Sequence, residues 1–314
     1  MLKGKRKNMV IVALSILLII SIVYSANKKV LSSSGALEEE LTICTSSYPI
    51  YIMALNVTAN VPNIRLVSVT SPESGCIHDA QLSVSDMKIL DQSDVFIING
   101  AGMEGYLEKV VDSFSDLLII DASKDLNLNQ DQHQEGEEHS NHNDEVNPHV
   151  WVSITMAMQQ ARSIGEELAV IDQANKGLYL KNTSYYLTKL EELRASMHQE
   201  LADFENRNII TIHDAFPYFA QEFNLNILAV VQRESDSEPS AKELAETIRL
   251  IKENNVRGIF VEPQFSDLAA QTIARETGAK VYALDPASSG PLHPDAYLDI
   301  MKKNLQTLKE ALAE

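Results

Sequence analysis

Asn175–Phe204 reads NKGLYLKNTSYYLTKLEELRASMHQELADF, and the division of the chain turns on it. Tyr186, Leu190, Leu193, Met197, Leu201 and Phe204 recur at steps of three or four, which marks one apolar stripe along a helix. Unbroken, that helix would run about 45 Å, longer than one lobe of this size needs. It is expected to be a stiff connector joining two lobes. Ser153 onward is also helical in pattern, with a break at Ile171-Asp172, so residues 153–206 form a helical connector.

On either side the pattern alternates strands with helices. Leu41–Cys44, Asn63–Thr70, Val95–Ile98 and Leu117–Ile120 are expected strands before the connector; Asn208–Ile212, Asn226–Val231, Gly258–Val261 and Lys280–Leu284 follow it. Between them, Ser47 with Pro49 opens one helix, and Ser83 with Asp86 and Ser240 with Glu243 make two capping boxes. Gly278 ends a helix, and a last helix begins near Asp295. Strands that alternate with helices pair in parallel. The fold class is therefore α/β: two lobes (41–152 and 207–314), each a parallel sheet flanked by helices, with no sequence repeat between them.

The formal charge of -18 argues against a nucleic-acid partner, whose phosphates would repel this surface, and suits a chain that handles cations. Lys3, Lys5, Arg6 and Lys7 precede an apolar run from Met9 to Tyr24, the pattern of an export signal. Residues 1–27 are read as a signal peptide or N-terminal membrane anchor and 28–40 as a tether, so the rest of the chain is expected outside the cytoplasmic membrane. Cys44 and Cys76 are the two cysteines, and in an oxidising compartment they are expected to pair as a disulfide.

Asp131–Trp151, DQHQEGEEHSNHNDEVNPHVW, holds four of the eight histidines and six carboxylates, and neither Lys nor Arg occurs between Lys124 and Arg162. Imidazole with carboxylate is the ligand chemistry of zinc and similar ions. His133, His139 and His142 lie in its polar, aperiodic part and are read as a loose auxiliary metal loop. His149 lies in Asn147-Pro148-His149-Val150-Trp151, where apolar neighbours can fix it. Ligands of open parallel sheets bind beyond the carboxyl ends of strands. The residues found there are His78, His149, His213, Glu262 and Asp285. Three imidazoles with one carboxylate complete a tetrahedral zinc shell if the lobes face each other across a cleft, and Glu262 is read as an acceptor that orients a histidine. His198 and His293 are read as surface residues.

Gly75-Cys76-Ile77-His78-Asp79, Asn147 to Trp151, His213-Asp214-Ala215-Phe216-Pro217, Val261-Glu262-Pro263-Gln264 and Leu284-Asp285-Pro286 resemble, in order and spacing, the zinc/manganese solute-binding proteins of bacterial ABC transporters. The resemblance covers nearly everything after residue 40. It implies a metal held between the lobes by His78, His149, His213 and Asp285, a permease with its ATPase as partner, and a monomer. The acidic, histidine-rich loop is similar to that of the zinc members, with manganese as the alternative ion. Ser153-Ile154 and Ala287-Ser288-Ser289 depart from the family pattern. The competing readings are a zinc-dependent hydrolase with Glu262 as base, which requires Asp285 off the metal, and a metal-binding adhesin or buffer with no permease.

Overall fold

β1 (Leu41–Thr45), β2 (Ile64–Ser68), β3 (Val95–Ile98) and β4 (Leu118–Asp121) form a parallel sheet in the order β2-β1-β3-β4. The second sheet, β5 (Asn208–Thr211), β6 (Asn226–Val230), β7 (Gly258–Val261) and β8 (Lys280–Ala283), has the equivalent order β6-β5-β7-β8. The computed structural model describes residues 40–71, 82–128, 146–232 and 239–313. The leader and all of the tether but Glu40, together with Cys76, His78, His133, His139 and His142, lie outside the described residues.

Helices α1 (Tyr48–Val57), α2 (Val84–Asp91) and α3 (Leu107–Ser113) belong to the first half. Helices α4 (Ile154–Ile171) and α5 (Lys176–Leu201) make the connector, and α6 (Pro217–Glu222), α7 (Ala241–Asn254), α8 (Leu268–Thr277) and α9 (Ala296–Ala313) follow. Both expected capping boxes form, Ser83 with Asp86 on α2 and Ser240 with Glu243 on α7. The long helix is shorter than its apolar stripe suggested. It has 26 residues, about 39 Å, and stops at Leu201. The Arg207 guanidinium takes the carbonyls of Leu201 (2.6 Å) and Ala202 (2.9 Å), satisfying the helix end and turning the chain toward β5.

Successive strand residues alternate between two packing layers, as period two requires. Ile43, Val95 and Ile97 of the first sheet, with Ile209 and Phe260 of the second, face one continuous core that also takes in α1, α4, α5 and α9. Cys44, Phe96 and Ile98 face a smaller layer beside α2 and α3, while Ile210, Ile259 and Val261 face another beside α7 and α8. Each sheet is thus covered on both faces, and the inner faces share a core. At the α4–α5 crossing, a Cβ on Gly165 would come within 2.0 Å of Thr183 Oγ1, so only glycine allows that approach. In the second sheet, β6 carries one extra residue against β5: Ile209 pairs with Ile227 and Ile210 with Ala229, skipping Leu228.

Polar links tie the second half to the connector. Ser153 Oγ donates to Glu222 Oε2 (2.7 Å), while Thr155 donates to Glu222 Oε1 through its amide (3.1 Å) and hydroxyl (2.6 Å). A carboxylate from the last turn of α6 therefore caps the first turn of α4, where the helix dipole favours negative charge. Glu222→Ala is expected to cost about 2 kcal/mol and to lower the melting temperature by about 5 °C, followed by calorimetry. A transition unmoved in the variant would show that the link carries no stability.

Candidate metal centre

In each sheet the strand order reverses beside its first strand, and the crevice for a ligand opens beyond the carboxyl ends of the strands flanking that point. In the second sheet these are β5 and β7. His213 lies two residues beyond β5, and Glu262 directly follows β7. Asp285 lies two residues beyond β8. His149 stands just before a 3-10 turn, Val150–Val152, that leads into α4. The chain brings His149 and His213 together edge to face, with ring centroids 5.3 Å apart. Both are nearly closed to solvent, at 3% and 4% exposure. Among the described residues no group of three or more His, Cys, Asp or Glu side chains is arranged to hold an ion; the expected third imidazole, His78, lies outside them. His198 is exposed against the Phe223 ring, and His293 is exposed.

His149 is oriented by Asn147. The Asn147 Oδ1 accepts from the His149 amide (3.0 Å) and lies 2.9 Å from its Nδ1. An amide oxygen can only accept, so Nδ1 carries the proton and Nε2 keeps the lone pair a metal needs. The Asn147 Nδ2 donates to the Asp214 carbonyl (2.8 Å) and the Asn147 carbonyl accepts from Tyr218 (3.0 Å), fastening this histidine to the segment that carries His213. Asn147 thus orients His149. Sequence reading quoted Asn147 without giving it a role; its signal was an Asx residue two positions before a histidine, the spacing of a side-chain turn. Behind His149 lies Trp151, ring centroids 5.3 Å apart, whose Nε1 donates to the Pro286 carbonyl (2.7 Å).

Asp285 is fixed through its backbone, since Asn304 both accepts from its amide (2.9 Å) and donates to its carbonyl (2.7 Å). Its Oδ1 accepts from Ala287, a residue in the left-handed region at φ 57°. Burial pushes the Asp285 carboxyl up, opposed by the Ala287 amide, the Lys303 charge and a hydrogen bond from Gln264. Glu262 is only 3% exposed, and its Oε1 has no hydrogen-bond partner among the described residues. Burial, then the Asp285 charge, pushes its carboxyl up to about 8. Two carboxyls so placed resist ionising together, and a dication beside them removes that penalty.

Next to His149 lies a buried polar network at the end of β3. Asn99 Nδ2 donates to the Pro148 carbonyl (3.0 Å), next to His149. Asn99 is held by Gln160 (3.0 Å to Oδ1) and Ser123 (2.6 Å to its carbonyl). The Glu104 carboxylate accepts from the amides of Asn99 (2.8 Å) and Gly100 (3.1 Å), and burial pushes its pKa up. Gly100 has φ 77°, and a Cβ there would meet Asp121 Oδ1 at 1.9 Å, so the turn requires glycine. Cys44 is wholly buried and has no disulfide partner among the described residues, and burial drives its thiol pKa up to about 12. It is no thiolate ligand, and its expected partner Cys76 lies outside the described residues.

Comparison with known proteins adds the family. The chain is 29% identical to the high-affinity zinc uptake system protein ZnuA of Bacillus subtilis, across 98% of both chains. It is 28% identical to the zinc-binding lipoprotein AdcA of Streptococcus pneumoniae over 89% of its own length, spanning 57% of that longer relative. Among solved structures, the binding protein FpvC of Pseudomonas aeruginosa in complex with manganese superposes with a TM-score of 0.76 at 28% identity, covering 88% of this chain and 99% of that one. A profile of the zinc-uptake complex component A, periplasmic, matches residues 43–311, nearly all of the chain beyond residue 40, and the chain belongs to that family.

Proposed function

We propose that this chain is the extracytoplasmic receptor that captures zinc and hands it to an ABC permease driven by its ATPase. The observation that carries this reading is the His149–His213 pair, one imidazole from each half of the chain. In this reading His149, His213 and Asp285 hold the ion with His78, Asn147 orients His149, and Glu262 supports the site beside Asp285. The lobes are residues 41–152 and 207–314, and residues 153–206 join them. The family is one of metal receptors for transport, not of enzymes, which removes the hydrolase alternative. Imidazole-rich ligation favours zinc over manganese, and the Irving–Williams order points the same way. The chain would act as a monomer outside the cytoplasmic membrane, secreted after removal of residues 1–27 as a signal peptide or held at the outer face by them as an anchor.

His213→Ala should remove most tight zinc binding in calorimetric titration, while His198→Ala leaves it unchanged. Because the imidazoles must be neutral, affinity should also fall as pH drops through about 6.5. Tight binding that survives in the His213 variant, or manganese outcompeting zinc at neutral pH, would overturn the ligand set.

Deleting residues 131–145 should leave one tight zinc equivalent and abolish the weaker ones, since a segment without apolar anchors binds loosely and serves mainly to concentrate cations near the cleft. Loss of the tight equivalent would move the site into that segment.

Cys44 and Cys76 are proposed to pair once the chain is exported. Closing a loop of this length contributes about 3 to 4 kcal/mol in the chain-entropy model, and it would restrain the segment that bears His78. Alkylation without reductant, read by mass spectrometry, decides the matter: two alkylated thiols on exported protein would sink the pairing.

A further inference from the structure

The two imidazoles are backed by different kinds of aromatic ring. Trp151, beside His149, is 1% exposed and tethered through Nε1 to Pro286, deep in the shared core. Phe265, beside His213 with ring centroids 5.6 Å apart, is half-buried and stands on a surface turn. Around it Pro263, Gln264, Ser266, Asp267 and Leu268 are all exposed. The turn is closed by the Phe265 amide donating to the Glu262 carbonyl (3.1 Å). Gln264 Nε2, donating to Ser289 Oγ (2.7 Å), ties it to the loop after Asp285.

At 3% and 4% exposure, the two imidazoles cannot exchange an ion with solvent unless some covering group moves. The halves share one apolar core, and pulling them apart would expose it, at a cost of about 25 cal/mol for each Å² of apolar surface. Trp151 cannot move without breaking a buried hydrogen bond. Among the described residues, swinging Phe265 outward disturbs its ring contact with His213 and the Gln264 hydrogen bonds to Ser289 and Asp285, and leaves both sheets in place. We propose that the Glu262–Phe265 turn is the gate of the site, with Phe265 as the covering ring over His213 and the Gln264–Ser289 hydrogen bond as its latch. The proposal rests on the reading of this cleft as the metal centre and adds the route by which the ion comes and goes.

A gate sets rates rather than equilibrium, because it lowers the barrier equally in both directions. In the full chain, stopped-flow mixing with zinc gives the association rate, and mixing of the loaded protein with excess chelator gives the dissociation rate. Phe265→Ala is expected to raise both rates about tenfold while the dissociation constant moves by less than about threefold. Ser289→Ala, which removes the latch acceptor without touching a proposed ligand, should shift both rates the same way by a smaller factor, and Phe265→Leu should stay near the parent. Unchanged rates in Phe265→Ala, or a dissociation rate that rises alone, would overturn the gate and leave Phe265 as a packing contact of His213. Failure of the unmodified chain to bind zinc tightly would instead sink the metal centre itself, so the two failures are separable.

Discussion

The apolar core shared by the inner faces of both sheets is the constraint on which the rest depends. Ile43, Val95 and Ile97 from one sheet and Ile209 and Phe260 from the other bury against the same helices, so the relation between the sheets is set by packing. Packing at close-to-crystalline density tolerates little sliding. Strand ends that face one another across such a core keep their separation, and residues attached to them inherit it. The meeting of His149 and His213 is a product of this core as much as of their own neighbours. Trp151 joins the two roles, its indole buried in the core while it flanks His149 and holds Pro286.

Around that core several buried polar side chains fix backbone. Asn304 grips both backbone groups of Asp285, Asn99 holds the Pro148 carbonyl, and Glu104 takes two successive amides. Each uses a buried side chain to satisfy main-chain groups that loops leave without partners. The side chains carried by those loops then start from a defined position, so little ordering remains when an ion arrives.

Much of this was legible in the sequence, for reasons particular to each element. Most strands declared themselves as short apolar runs, Asn63–Thr70 by alternation, and the helix starts at Ser83 and Ser240 through capping boxes, because these signals are local. The end of the connector was not legible, since it is set by Arg207, which reaches back from beyond the helix. The extra residue in β6 was hidden because a bulge is a property of a pair of strands. At the candidate site the strand-end rule pointed to His149 and His213, yet His149 stands before the turn into α4 rather than at a strand end, and Asn147 and Phe265 were not singled out. Their contacts lie two residues and fifty-two residues along the chain, the first quoted within a motif and the second outside every motif.

The shared core also bears on how the chain folds and how it can be cut. Residues 207–314 have a complete strand order of their own, yet Ile209 and Phe260 find their packing partners in a cluster that includes residues from the first half. Expressed alone, that half would present an apolar sheet face to water, the condition under which partly folded chains aggregate. The two lobes are therefore halves of one cooperative unit rather than modules, and a break in the chain is better tolerated at an exposed loop tip than at the junction between them.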